Sequence, residues 1–247
     1  MVIKMSLKDL LKGNIPKKHI ETCKYLIKGI IVILIFHYSS LLIIPLVKLF
    51  KFDVSSYNDT LNVIANCFIS CILMIIFYFM YRKDIKKEWK IFKENFFDCI
   101  NTGFYAWFVG LVVMFVFNFL LSFVFHFPGA KNETLVQDMI KSLPVLMIMN
   151  AAVFAPFVEE IVFRKTVKDV FKNIYLFMLV SFLLFGGAHV ISQANSLIDW
   201  LYVIPYGSLG AAFAYAYYKT DTIFTSIMLH SFHNFVLVIM SIIIYTI

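Results

Sequence analysis

Charge is scarce in this chain. Only 15% of its 247 residues are charged, whereas 61% are hydrophobic, and the mean hydropathy is +0.84. A soluble domain of this length carries about a quarter charged residues. Cysteine is also sparse, and Cys23, Cys67, Cys71 and Cys99 lack metal-ligand spacing. Cys67 and Cys71 stand one helical turn apart in an apolar run, which reads as packing. Met1 to Lys28 has no compact apolar core followed by a small-residue cleavage site, so no cleaved signal is expected there. No internal repeat and no low-complexity tract occurs. A transporter relay built on inverted repeats therefore finds no support.

What the chain has instead is long apolar runs, at about 29–47, 61–81, 102–127, 143–163, 175–191, 200–218 and 222–246. Several reach the ~20 residues that a bilayer-spanning helix needs. The expected fold class is all-α, a polytopic transmembrane helical bundle of about 7–8 spans. Residues 1–28 read as a basic cytoplasmic or interfacial N-terminal tail, in which Leu7, Leu10 and Leu11 could form a short surface-lying face. Residues 29–127 read as N-terminal transmembrane helices. The net charge of +7 does not indicate a nucleic-acid partner, because the basic residues sit in loops between apolar runs. With a cytoplasmic N-terminus, only Lys48, Lys51, Lys131 and Lys141 of the 22 lysines and arginines fall outside, as the positive-inside rule prefers. The expected location is the cell membrane, with lipid as the first partner.

Polar groups concentrate beyond residue 143. In "NAAVFAPFVEEIVFRK", Glu160 and Arg164 stand four apart and share a helical face, so they can pair. Glu159 points about 140° away from Arg164 on a regular helix. A carboxyl left without a cation in an apolar setting suits acid–base work. A solvated helix end beside Lys165 and Lys168 is the alternative. Pro156, just ahead of the carboxylates, is expected to bend or open the helix. "LLFGGAHVISQ" places His189 one turn after Phe185, with Gly186 and Gly187 permitting close helix approach or a break. "SIMLHSFHNFVLVIM" sets His230, His233 and Asn234 within an apolar run, where such groups usually face the bundle interior and mark a functional path. Interhelical hydrogen bonding is the structural alternative. Together these groups could activate a water and stabilise an oxyanion. No serine elbow, no His-Glu-x-x-His helix and no cysteine accompanies them. Glu159, His189 and His230 also have the ligand types of a His₂Glu zinc site, so a zinc-dependent variant stays open.

The ordered motifs Glu159-Glu160…Arg164, Phe185…His189 and His230…Asn234 resemble the signature of the CPBP intramembrane proteases. That family includes the type II CAAX prenyl proteases and the bacterial Abi or bacteriocin-processing proteins. The resemblance makes 143–240 a CPBP-like catalytic transmembrane core. It implies a glutamate-type intramembrane endopeptidase that needs no cofactor and acts on a peptide or membrane-anchored protein. Glu159 with His189 would activate the water, and His230 with Asn234 would form the oxyanion hole. Glu160, Arg164 and Phe185 would support the site. Members acting without proteolysis, as a membrane scaffold, bacteriocin-immunity protein or sensor-kinase regulator with a membrane-protein partner, form the other reading.

Two features depart from expectation. Lys165 stands where family members often carry glycine. Straight helices with the boundaries above also leave His189 too far out, about 20 Å from the cytoplasmic end of its span against roughly 8–12 Å for Glu159 and His230. Either the fourth span continues past Arg164 toward Lys172, or the fifth breaks at Gly186-Gly187.

Overall fold

The computed structural model describes residues 17–45, 59–124, 131–191 and 194–246. The surface face expected at Leu7, Leu10 and Leu11 lies outside the described residues. Among the described residues every regular element is helical. The longer helices are α1 (Lys17–His37), α2 (Asp59–Glu94), α3 (Phe96–Phe119), α4 (Lys131–Ser142), α5 (Pro144–Val170), α6 (Ile174–Val190), α7 (Val203–Thr220) and α8 (Ile223–Thr246). The protein is an all-α polytopic membrane bundle.

Over the described residues, each of the seven apolar segments is largely helical. Four stretches among the described residues are long and apolar enough to cross a membrane: Thr60–Glu94, Phe96–Phe123, Pro144–Val170 and Ile223–Ile244. A fifth arises if Ile20–His37 and Ser39–Pro45, which meet at 52°, form one broken span. α6 is apolar but only 17 residues long. α1 begins inside the stretch read as a tail.

α2 runs well past the expected end near residue 81 and carries "RKDIKKEWKIFKE" as helix. Tyr81, Ile85, Glu88 and Phe92 recur at helical spacing and are all buried, while the lysines between them face outward. That amphipathic stripe explains why a basic stretch stays helical rather than forming a loop.

α3 is two-sided in another sense. Tyr105, Phe108, Val112, Phe115 and Phe119 are exposed along one stripe, as lipid contact requires. Cys99, Gly103, Ala106 and Gly110 are buried along the other. A Cβ on Gly110 would sit 2.7 Å from Ala212 Cβ, so the small residues let α3 and α7 approach. α6 and α7 cross equally tightly: a Cβ on Gly186 would meet the Val203 carbonyl at 2.5 Å. A Cβ on Gly187 would meet nothing within 4 Å.

The depth conflict resolves in favour of the first alternative. α5 continues through Arg164 to Val170, and α6 runs unbroken through Gly186 and Gly187. Gly186 therefore serves close approach, and neither glycine breaks the helix. α5 is also the interior helix, 39% buried over its apolar window against 17–28% for the other three spans. The largest apolar core gathers around it, with Phe77 and Tyr81 from α2, Phe177 and Phe185 from α6, and Ala214 and Tyr217 from α7.

Candidate active site

α5 is not a regular helix. Asn150–Phe154 and Ile161–Lys165 are wide π-type turns that bracket Ala155–Glu160. In the first, the Ala155 N–H donates to the Asn150 carbonyl, five residues back. In that register the next carbonyl, Ala151, faces the nitrogen of Pro156, which has no hydrogen to give. The carbonyl is left for another donor, and Asn234 Nδ2 on α8 fills it at 2.9 Å. The expectation that Pro156 opens the backbone thus has a definite form.

The second wide turn repeats the device. The Thr166 N–H reaches back five residues to Ile161. The skipped Val162 carbonyl accepts the Thr166 hydroxyl, and the Phe163 carbonyl accepts the Ser181 hydroxyl from α6 at 2.9 Å. Wide turns of this kind recur at functional sites because they release backbone groups and re-aim side chains.

Between the two turns stand the carboxylates. Glu160 and Arg164 are fully buried, with Arg164 Nη1 3.0 Å from Glu160 Oε1. His230 Nδ1 donates to the same oxygen at 2.8 Å. The guanidinium lies 4.3 Å from the centre of the Phe185 ring and 5.3 Å from that of Phe213, so two aromatic faces hold it where hydrogen-bond acceptors are few. Glu160 and Arg164 form the brace that their spacing predicts.

Glu159 is treated differently. Its side chain is 19% exposed, and Oε2 lies 3.8 Å from His230 Nε2, beyond hydrogen-bond range. The wide turn modifies the helical-wheel expectation for this residue. A turn that closes on i+5 draws residues five apart toward one face, so Arg164 is subject to the charge of Glu159 as well as that of Glu160. Even so, the hydrogen bond from His230 and the close ion pair go to Glu160.

The imidazoles are oriented through their partners. His189 Nδ1 donates to the Phe185 carbonyl at 2.9 Å, which leaves Nε2 for other chemistry. Rings form a continuous row: Phe213 stacks on His230 at 5.2 Å, and Phe185 meets His230 edge-on at 5.6 Å. Phe185 then meets His189 at 4.5 Å, and Tyr206 stacks on His189 at 4.8 Å. Phe185 thus fills the space between the two imidazoles. Glu159, His230 and Arg164 are the ionisable groups that act on His189.

Glu159, Glu160, Arg164, Phe185, His189 and His230 are therefore brought together, with Asn234 one turn beyond His230 on α8. His233 faces away and accepts a hydrogen bond from Trp107 Nε1 on α3 at 3.3 Å. Phe213, Tyr206, Ser181 and Thr166 belong to the surroundings of the site but carry no signal in a chain with 28 Phe and 13 Tyr. Among the described residues, no group of three or more His, Cys, Asp or Glu side chains is gathered so as to hold a metal ion.

Residues 141–236 match the family model described as type II CAAX prenyl endopeptidase Rce1-like. That segment belongs to the CPBP/CAAX protease family. It contains every motif residue above, from Glu159 to Asn234, and its family is one of membrane proteases. The CAAX-protease segment is also similar to a curated protein of Bacillus subtilis (strain 168), "Putative membrane peptidase YdiL". The two are 30% identical over 114 residues, 45% of this chain and 43% of that protein. The chain thus matches less than half the length of that relative. No solved structure matches.

Proposed function

We propose that the protein is an intramembrane endopeptidase in which Glu159 activates the attacking water. The observation that carries this reading is the division of labour between adjacent carboxylates. Glu160 is occupied by Arg164 and His230 Nδ1, whereas Glu159 is partly exposed and faces His230 Nε2.

In the proposed reaction, Glu159 with His189 takes a proton from water as its oxygen adds to the scissile carbonyl carbon. His230, held by Glu160 through Nδ1, turns its Nε2 edge toward the developing oxyanion. Asn234 keeps a second amide N–H for the same oxygen while the first holds Ala151. Collapse of the intermediate breaks the C–N bond, and the proton held by Glu159 passes to the leaving amine. Only protein groups are used, and no metal is required.

The substrate class is a peptide or a membrane-anchored protein, and the location is the cell membrane with the N-terminus cytoplasmic. The match to prenyl endopeptidases and the distribution of lysine support these two readings respectively. The test compares membrane peptidomes of cells carrying the wild type and Glu159→Gln at equal expression. A precursor that accumulates only in the variant names the substrate. An unchanged peptidome, with the biological effect intact, points instead to a non-catalytic scaffold, immunity protein or kinase regulator.

A further inference from the structure

α5 and α8 carry opposite halves of the site, and both end at a polar layer centred on a residue outside the CAAX-protease segment. Glu88 on α2 is buried, at 8% exposure. Its Oε2 accepts the Ile223 N–H at 2.7 Å, capping the first turn of α8, and its Oε1 accepts the Tyr217 hydroxyl of α7 at 2.9 Å. The Thr222 hydroxyl donates to the Glu88 backbone carbonyl at 2.9 Å. Lys165, which ends the second wide turn, lies 4.0 Å from Glu88, 3.5 Å from Asp84 and 2.6 Å from Asp169. One side chain thus ties the start of α8 to α2 and α7, with the end of the Ile161–Lys165 turn against it.

The N-terminus of a helix leaves unsatisfied N–H groups, and an anion there is favoured. Ordinarily a residue of the same segment supplies the cap. Here Thr222 accepts the Phe224 N–H locally at 3.3 Å, but the Ile223 N–H is capped from another helix, so that bond also fixes how far α8 can slide along its axis. His230 lies seven residues beyond Ile223, about 10 Å up the same helix. An axial slip of α8 would be delivered undiminished to the His230–Glu160 hydrogen bond.

We propose that Glu88 is a positioning residue that sets the axial register of α8 against α5, and through it the placing of His230 beside Glu160 and Glu159. Its catalytic consequence rests on the protease reading; its geometric consequence does not. Glu88→Gln keeps an oxygen for the Ile223 N–H and an amide that the Tyr217 oxygen can accept. Glu88→Ala removes both bonds, and Glu88→Asp draws the carboxylate back by one methylene.

The experiment uses the full chain in lipid nanodiscs, labelled with ¹⁵N-histidine. The His230 imidazole resonances are assigned by their loss in His230→Gln. They are expected to shift in Glu88→Ala and Glu88→Asp and to stay at the wild-type position in Glu88→Gln. Once the peptidome comparison has named a precursor, kcat for its cleavage should fall about 10–100-fold in the same two variants, with KM within about twofold. Folded Glu88→Ala or Glu88→Asp with unchanged His230 resonances overturns the proposal. So does loss of the fold in both, which would make Glu88 purely structural. If no precursor accumulates in Glu159→Gln, the protease reading fails while the resonances still decide the role of Glu88.

Discussion

Replacing Glu159 by Gln keeps the shape of the side chain and removes the proposed base. Glu159 makes no hydrogen bond or close ion pair that the fold depends on, so the melting temperature should stay near the wild-type value. Cleavage should fall by roughly 10²–10⁴, the usual contribution of a positioned base. A variant that loses both stability and activity would place Glu159 with Glu160 as a structural charge. Asn234→Ala tests a different term. It removes the proposed oxyanion donor and also leaves the Ala151 carbonyl without its partner. The expected loss is about 10²–10³ in kcat, measured at saturating substrate. At this scale much was legible in the sequence, because Glu160 and Arg164 declare their pairing by a four-residue spacing. The sharing of Glu160 Oε1 with His230 was not, since those residues lie on separate helices 70 positions apart.

Among the elements, α5 holds the largest buried charge. Arg164→Met would leave Glu160 buried beside a thioether, and breaking such a pair costs roughly 3–5 kcal/mol. Restoring neutrality with Glu160→Gln in the same chain should recover part of that loss, as read by thermal unfolding in detergent. The α6–α7 crossing gives a paired control. Gly186→Ala drives a methyl group into the Val203 carbonyl, and overpacking of this kind costs about 1–3 kcal/mol. Gly187→Ala has open space and should be neutral in the same melting assay. The adjacent glycines are indistinguishable in sequence; only the path of α7 separates them. The wide turns were equally hidden, because a helical-wheel argument assumes one period throughout. Pro156 was a legible sign that the ladder breaks, but the side chain that repairs it comes from α8. Glu88 was hidden for a simpler reason. An acid in a run of lysines reads as part of a solvated loop until burial reveals the stripe Tyr81, Ile85, Glu88 and Phe92.

Taken as a whole, the molecule has a charged end. Asp84, Glu88, Lys165, Lys168, Asp169 and Asp221 gather there, and Lys168 holds Asp221 at 2.8 Å in the turn between α7 and α8. His230 stands about 10 Å above the start of α8 and about 24 Å below its other end, at 1.5 Å per residue. The proposed chemistry therefore sits near the charged face, which is cytoplasmic in the proposed orientation. Reporter fusions at residue 1 should be active only on the cytoplasmic side, and periplasmic or extracellular activity would reverse the orientation. Because the proposed reaction uses protein groups alone, purified protein should retain full cleavage after prolonged chelation. Loss restored by added zinc would require the trio Glu159, His189 and His230 to close around an ion. The two wide turns carry one more consequence, for insertions and deletions. Each is a helix with a residue to spare, so deleting one residue from Asn150–Phe154 would regularise the backbone there. It would also rotate Pro144–Met149 by about 100° relative to Glu159. Shortening by a single codon, which most surface loops absorb silently, would here separate the helix entering the membrane from the carboxylate it delivers.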